Sequence, residues 1–148
     1  MKIVILMGSP NPHGSTSILV ENFRKGAEEK GHNAEIIDVC SMNISPCTGC
    51  VSCGYEGECV QNDDNEHIRK ALLSCDMIVF ATPLYYFGFT GQIKRVIDRF
   101  YSIDVPLKNK KMKAVLLSSR HGTDKDRIDS LIKHYLKQAY ELGKNLIK

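Results

Sequence analysis

"KIVILMGSPNPHGSTS", residues 2–17, decides the class of fold. After Lys2 the chain runs through five apolar residues to Gly8, the pattern of a strand buried on both faces. A polar loop follows, carrying Ser9, Asn11, Gly14, Ser15, Thr16 and Ser17. A helical pattern then takes over, with Ile18, Leu19, Phe23 and Ala27 apolar and Gly31 just past its C-terminus.

The same alternation repeats outward from this unit. "AEIIDV" (34–39) reads as a second strand, and "DDNEHIRKALLSC" (63–75) as a helix. That helix opens on a capping-box spacing, Asp63 to Glu66, with Ile68, Leu72 and Leu73 on one face. "MIVFATP" (77–83) is a third buried strand, and the aromatic loop "LYYFGFTG" leads into a helix over 91–103. "KAVLLSS" (113–119) is the fourth strand, and a helix from about 126 to the C-terminus carries Ile128, Leu131, Ile132, Tyr135, Leu136 and Ala139 on one stripe. Strands alternating with helices predict an α/β fold, a parallel sheet covered on both faces. There are no repeats or linkers, and 148 residues fit one domain spanning 1–148, with a cysteine-rich loop at 40–62.

Composition narrows the function classes. Hydrophobic residues make up 43% and charged residues 25%, which fits neither a disordered nor a membrane chain. A net charge of +3 is too small to argue for nucleic acid, and "KNKKMK" (108–113) reads as a solvated loop. The N-terminus has no secretory leader pattern and no stretch approaches a membrane span of about 20 residues. The expectation is a cytoplasmic protein with no membrane and no nucleic-acid partner, in a compartment that keeps thiols reduced.

In such sheets ligands bind beyond the carboxyl ends of the strands, so the loops after strands 1, 3 and 4 are the candidates. The first has no Gly-Lys-Ser/Thr and no G-x-G-x-x-G. It offers hydroxyls and small residues at a helix N-terminus, where free N–H groups and the helix dipole favour a phosphate. A plain N-cap by Ser15 or Thr16 is the alternative. The second loop concentrates Tyr85, Tyr86, Phe87 and Phe89, flat surfaces suited to a flat ligand, a subunit interface or a packed loop. The third supplies Ser119, Arg120, His121, Gly122 and Thr123; His121 is a possible proton donor, but no catalytic residue is assigned.

Cys47, Cys50, Cys53 and Cys59 follow the spacing C-x2-C-x2-C-x5-C. Its first two gaps match those of bacterial iron–sulfur sites, whereas structural zinc more often uses two separated pairs. A 4Fe–4S cluster, redox-active cysteines without metal, and zinc stay open in that order. Cys40 and Cys75 read as buried small residues. Glu56, Glu58, Asp63 and Asp64 surround the loop and no Lys or Arg occurs from 31 to 68, so a low reduction potential is expected.

Taken together, "GSPNPHGSTS", "PCTGCVSCGYEGECVQNDD" and "ATPLYYFGFTGQIKRVIDR" resemble the NADPH-dependent FMN reductase family of flavodoxin-like proteins, and within it the iron–sulfur flavoprotein branch. The resemblance covers about residues 1–120. It implies FMN with its phosphate at Ser9, Asn11, Gly14, Ser15, Thr16 and Ser17. The ring would lie against Pro83, Leu84, Tyr85, Tyr86, Phe87 and Gly88 and the loop holding Ser119, Arg120 and Gly122. It implies assembly as a homodimer or homotetramer, with NAD(P)H, ferredoxin or another redox protein as electron partner. The family sheet has order 2-1-3-4-5; only four strands are readable here, so the expected order is 2-1-3-4, with a partner subunit or the last helix covering the strand-4 edge. The expected function is electron passage between a 4Fe–4S cluster and flavin. The alternatives are a cluster-free NAD(P)H-dependent FMN or quinone reductase, and a non-enzymatic metal-binding domain.

Overall fold

A computed structural model describes residues 1–120 and 125–146, with the side chains of 125–132 excepted. Its strands are β1 (Lys2–Met7), β2 (Asn33–Asp38), β3 (Met77–Pro83) and β4 (Lys113–Ser119). They pair in parallel in the order β2-β1-β3-β4, as expected. The helices are α1 (Ser15–Glu29), α2 (Asn65–Ser74), α3 (Gly91–Asp98), the short α4 (Asp104–Lys108) and α5 (Lys125–Lys144).

The period of two along each strand divides one apolar run between two cores. Val4, Leu6 and Ile78 face α2 and α3, packing with Ile68, Leu72, Ile93 and Val96. Ile3, Ile5, Val79 and Ala81 face the other way, onto Val20, Phe23 and Ala27 of α1 and Ala139 of α5. Each large aliphatic side chain buried this way contributes roughly 1.5–3 kcal/mol.

Helix α5 returns to the α1 side of the sheet, and the two helices meet backbone to backbone. A Cβ on Gly26 would stand 2.1 Å from the Tyr140 carbonyl oxygen, and one on Gly143 2.1 Å from that of Phe23. The last helix is therefore spent on α1, while Leu116, on β4 at the sheet's edge, stays 53% exposed.

Two elements differ from the sequence reading. The helix expected over 91–103 ends at Asp98, and a 3-10 turn (Arg99–Ile103) and α4 complete the segment. The break falls where the Arg99 side chain is drawn inward to Asp63. Helix α2 opens on Asp64 without a side-chain cap, since the Asp64 carboxylate accepts from Asn43 N–H; the Asp63 carboxylate takes Arg99 and the backbone N–H groups of Ser45 and Asn65. No described helix is long and apolar enough to cross a membrane.

Candidate functional site

The loops after β1 and β3 meet the end of β4 at one end of the sheet. Gly8 N–H donates to the Ala81 carbonyl (2.8 Å), and Leu84 N–H to that of Ser119 (2.8 Å). The Thr16 and Ser119 hydroxyls lie 2.7 Å apart. Thr90 caps α3 by accepting from Ile93 N–H and donates its own hydroxyl to the Gly8 carbonyl (2.8 Å). Close approach makes glycine obligatory at position 8, since a Cβ there would lie 1.9 Å from Ile93 Cγ1.

In the first loop, the N-cap of α1 is Gly14, no side chain caps the helix, and no acidic residue sits in its first turn. Its leading N–H groups are open to an anion. Ser9 and Asn11 shape the turn: Asn11 N–H donates to Ser9 Oγ, and His13 N–H donates to Asn11 Oδ1. Ser17 Oγ donates to the Asn11 carbonyl. Gly14 packs against the Asn11 side chain. Ser15 is exposed beside them. Thr16 is buried, as Ser9 is, and its hydroxyl meets that of Ser119. Its side chain joins the first loop to the end of β4.

The aromatic loop is not a packed core loop. Tyr85 and Gly88 exchange both backbone hydrogen bonds at 3.0 Å, closing a two-residue turn on Tyr86 and Phe87. Both turn residues have positive φ, 45° and 65°, a conformation that favours Asn and Gly. Their side chains are 97% and 91% exposed. Leu84, Tyr85 and Phe89 are exposed too, and Pro83 is half-buried at the end of β3. A strained turn presenting bare rings beside an uncapped helix is the pattern of a site that binds a flat, phosphorylated molecule. Ser119 and exposed Arg120 border it; Gly122 and His121 lie outside the described residues.

The cysteine loop lies on the α2–α3 side of the sheet, where Ile44 joins that core, and is pinned at its two ends. Arg99 Nη1 donates to the Ser45 carbonyl (2.9 Å) and Asp63 Oδ2 (2.8 Å). Its Nη2 donates to Asp63 Oδ1 (3.1 Å) and to the Gln61 carbonyl (3.4 Å). The Arg99 and Asp63 side chains are only 2% and 6% exposed. Burial alone would raise the Asp63 pKa, but the Arg99 hydrogen bond and two backbone N–H groups outweigh it and hold the carboxyl below its ordinary 3.8. Arg99 is missing from the sequence reading because it is 36 residues from Asp63.

The six cysteines are free thiols. Gly49 N–H donates to Cys47 Sγ (3.4 Å), and positive φ at Gly49, Val51, Gly54 and Tyr55 coils the loop. Hydrogen bonds from the Ser52 side chain, then from the Ser52 backbone and Thr48, pull exposed Cys50 down to about 7. Reduced thiols with N–H···S bonds are suitable donors for an iron–sulfur cluster. Their positions are another matter: among the described residues, no three Cys, His, Asp or Glu side chains come together to hold a metal ion. Cys75 is buried as expected, while Cys40 is half-buried.

Comparison with known proteins adds the family. The profile of the NADPH-dependent FMN reductases matches residues 1–137. A Methanocaldococcus jannaschii protein named iron-sulfur flavoprotein is 32% identical over 139 residues, 92% of this chain and 72% of that one. An Archaeoglobus fulgidus protein of the same name is 34% identical over 143 residues, 94% of this chain and 70% of that one. Among solved structures, an NAD(P)H:quinone oxidoreductase from Methanothermobacter marburgensis superposes with a TM-score of 0.76 at 18% identity, over 100% of this chain and 96% of its own. That likeness concerns the fold.

Proposed function

As this chain belongs to the NADPH-dependent FMN reductase family, whose members are flavin-dependent oxidoreductases, we propose that it binds FMN across the loops after β1 and β3 and the end of β4. The uncapped N-terminus of α1, set beside the exposed Tyr86–Phe87 turn, is the observation that carries this reading. When bound, FMN supplies hydride and single-electron chemistry at its ring, and the protein supplies position and environment.

Each residue then has a defined task. The N–H groups at Ser15, Thr16 and Ser17 hold the phosphate, with Ser9, Asn11 and Gly14 fixing the turn that exposes them. Pro83, Leu84, Tyr85 and Gly88 set the floor of the ring site, and Tyr86 and Phe87 cover the ring and exclude water. Ser119 and Arg120 close the far side. NAD(P)H is the proposed two-electron donor, with ferredoxin or another redox protein as the alternative partner.

Cys47, Cys50, Cys53 and Cys59 are the proposed ligands of a 4Fe–4S cluster that exchanges electrons with the flavin. Their spacing and the relatives' names support this; the separated side chains favour the rival, a cluster-free FMN or quinone reductase. The edge of β4 is the proposed contact of a homodimer or homotetramer, since α5 is committed to α1. Anaerobic purification with FMN, iron and acid-labile sulfide assays tests the reading. FMN with iron and sulfide supports the full proposal, FMN alone supports the cluster-free reductase, and absence of flavin rejects both.

A further inference from the structure

β4 ends the sheet, and its hydrogen bonds fix which residues face the open edge. Among the described residues β4 pairs with β3 alone. Lys113 N–H donates to the Asp76 carbonyl (3.2 Å), and the Ser119 carbonyl accepts from Leu84 N–H (2.8 Å). The direction of the backbone groups alternates along a strand, so the odd-numbered residues face β3 while Ala114, Leu116 and Ser118 face outward. These three are uncharged and exposed. β2, at the other edge, carries Glu35 and Asp38 instead, charges of the kind that keep an edge from pairing.

The side chains of β4 divide as well. Val115 and Leu117 pack on the α1 side of the sheet, and Ser119 meets Thr16 there. Lys113 shares that face by the period of two. Its side chain is exposed, and no hydrogen bond or ion pair engages it among the described residues. It closes the basic run 108–113, which the proposed flavin site does not use. The first loop, by contrast, offers backbone N–H groups to a phosphate with no Lys or Arg between 8 and 17.

We propose that a second copy of the chain continues the sheet, β4 antiparallel to β4, and that the partner's Lys113 supplies the cation for the flavin phosphate. This rests on FMN binding at the N-terminus of α1. Only outward-facing residues exchange hydrogen bonds across the new pair, and a two-fold axis at Leu116 engages all three. Leu116 then meets its own copy, and Ala114 meets Ser118. The two leucines, each 53% exposed in the single chain, cover one another on the face away from α1. The same register sets the partner's Lys113 opposite Ser119 on the α1 face, at about 4.5 Å between Cα atoms. From there its ammonium reaches the first turn of α1, where Thr16 is bonded to Ser119. Within one chain Lys113 stands at the other end of β4 from Ser119, roughly 20 Å away at about 3.3 Å per residue, so it serves only in trans.

Sedimentation and flavin titration of the full chain test this together. The wild type is expected to be a dimer. Leu116→Lys and Leu116→Glu each set like charges opposite one another and should be monomeric, whereas an equimolar mixture of the two should dimerise again. Lys113→Gln should stay dimeric, weaken FMN about 10-fold, and leave riboflavin, which has no phosphate, unchanged. Leu116→Lys should show the same selective loss, and adding Lys113→Gln to it should cost nothing more. A monomeric wild type, or Leu116 variants that remain dimeric, overturns the β4 pairing. A dimer in which Lys113→Gln keeps the full preference for FMN over riboflavin overturns the role of Lys113 and leaves FMN binding standing. A wild type that binds neither flavin overturns the FMN reading and the lysine's role with it, while the Leu116 series still decides the pairing.

Discussion

The hydroxyl of Thr16 meets that of Ser119 at 2.7 Å across 103 residues of sequence, tying the start of α1 to the end of β4. The bond fixes the distance between the proposed phosphate loop and the far wall of the ring site. Thr16→Val keeps the shape of this buried side chain and removes the bond, leaving the Ser119 hydroxyl unpaired. A loss of about 1–3 kcal/mol is expected, shared between stability and flavin affinity. Thermal melts with and without FMN measure the two parts, and an unchanged FMN affinity would show that the link does not shape the site.

The Tyr86–Phe87 turn combines strain with exposure, and its removal should separate function from stability. Replacing the pair with Asn-Gly suits the positive φ at both positions. Each strained residue costs on the order of 1–3 kcal/mol, so the double variant should be more stable than the wild type in denaturant. It should also bind flavin more weakly, having lost both rings. A variant that gains stability and keeps its flavin affinity would mean that the rings serve something other than the flavin.

Asp63 predicts an acid transition. Its carboxyl is held below 3.8 in the folded protein, so the native state takes up this proton less readily than the unfolded chain. The stabilisation is complete above the unfolded value, near 4, and is lost as the pH falls through the lower folded value. Denaturant unfolding of the wild type between pH 5 and pH 2 should therefore steepen relative to Asp63→Asn, which lacks this group. Parallel curves for the two proteins would exclude Asp63 as the titrating group.

The contact between α1 and α5 leaves no space for a side chain at Gly26. Gly26→Val should undock α5, because Cβ would enter the Tyr140 carbonyl. Overpacking of this kind costs about 1–3 kcal/mol or more. Hydrogen exchange should rise first along 133–144, while β1 and β3 keep their protection; uniform loss across the chain would mean that α5 is integral to the sheet's folding unit.

Much of this was legible in the sequence because periodicity carries it. The β-branched runs of β1 and β3 and the residues around Phe23 and Ile93 declare their faces locally, so the elements and the two cores follow, whereas the strand order rests on the family resemblance. What escaped was long-range and polar. Arg99 reads as one more charge on a helix, and only the folded chain brings it to Asp63, 36 residues away. The capping-box spacing misled for the same reason, since a local rule assigned Asp63 to its own helix while a buried guanidinium claimed it. Thr16 looked like its hydroxyl neighbours, and its bond to Ser119, 103 residues away, distinguishes it.

The central claim is that FMN is bound through its phosphate at the N-terminus of α1. Titrating the flavin-free protein with FMN and with riboflavin, by quenching of flavin fluorescence, tests this most directly. FMN should bind one per chain, riboflavin at least about 100-fold more weakly, corresponding to about 2.7 kcal/mol from the phosphate. Ser15→Asp, which sets a negative charge against that N-terminus, should bring FMN down to the riboflavin level. Equal affinity for FMN and riboflavin, or binding of neither, would contradict the account.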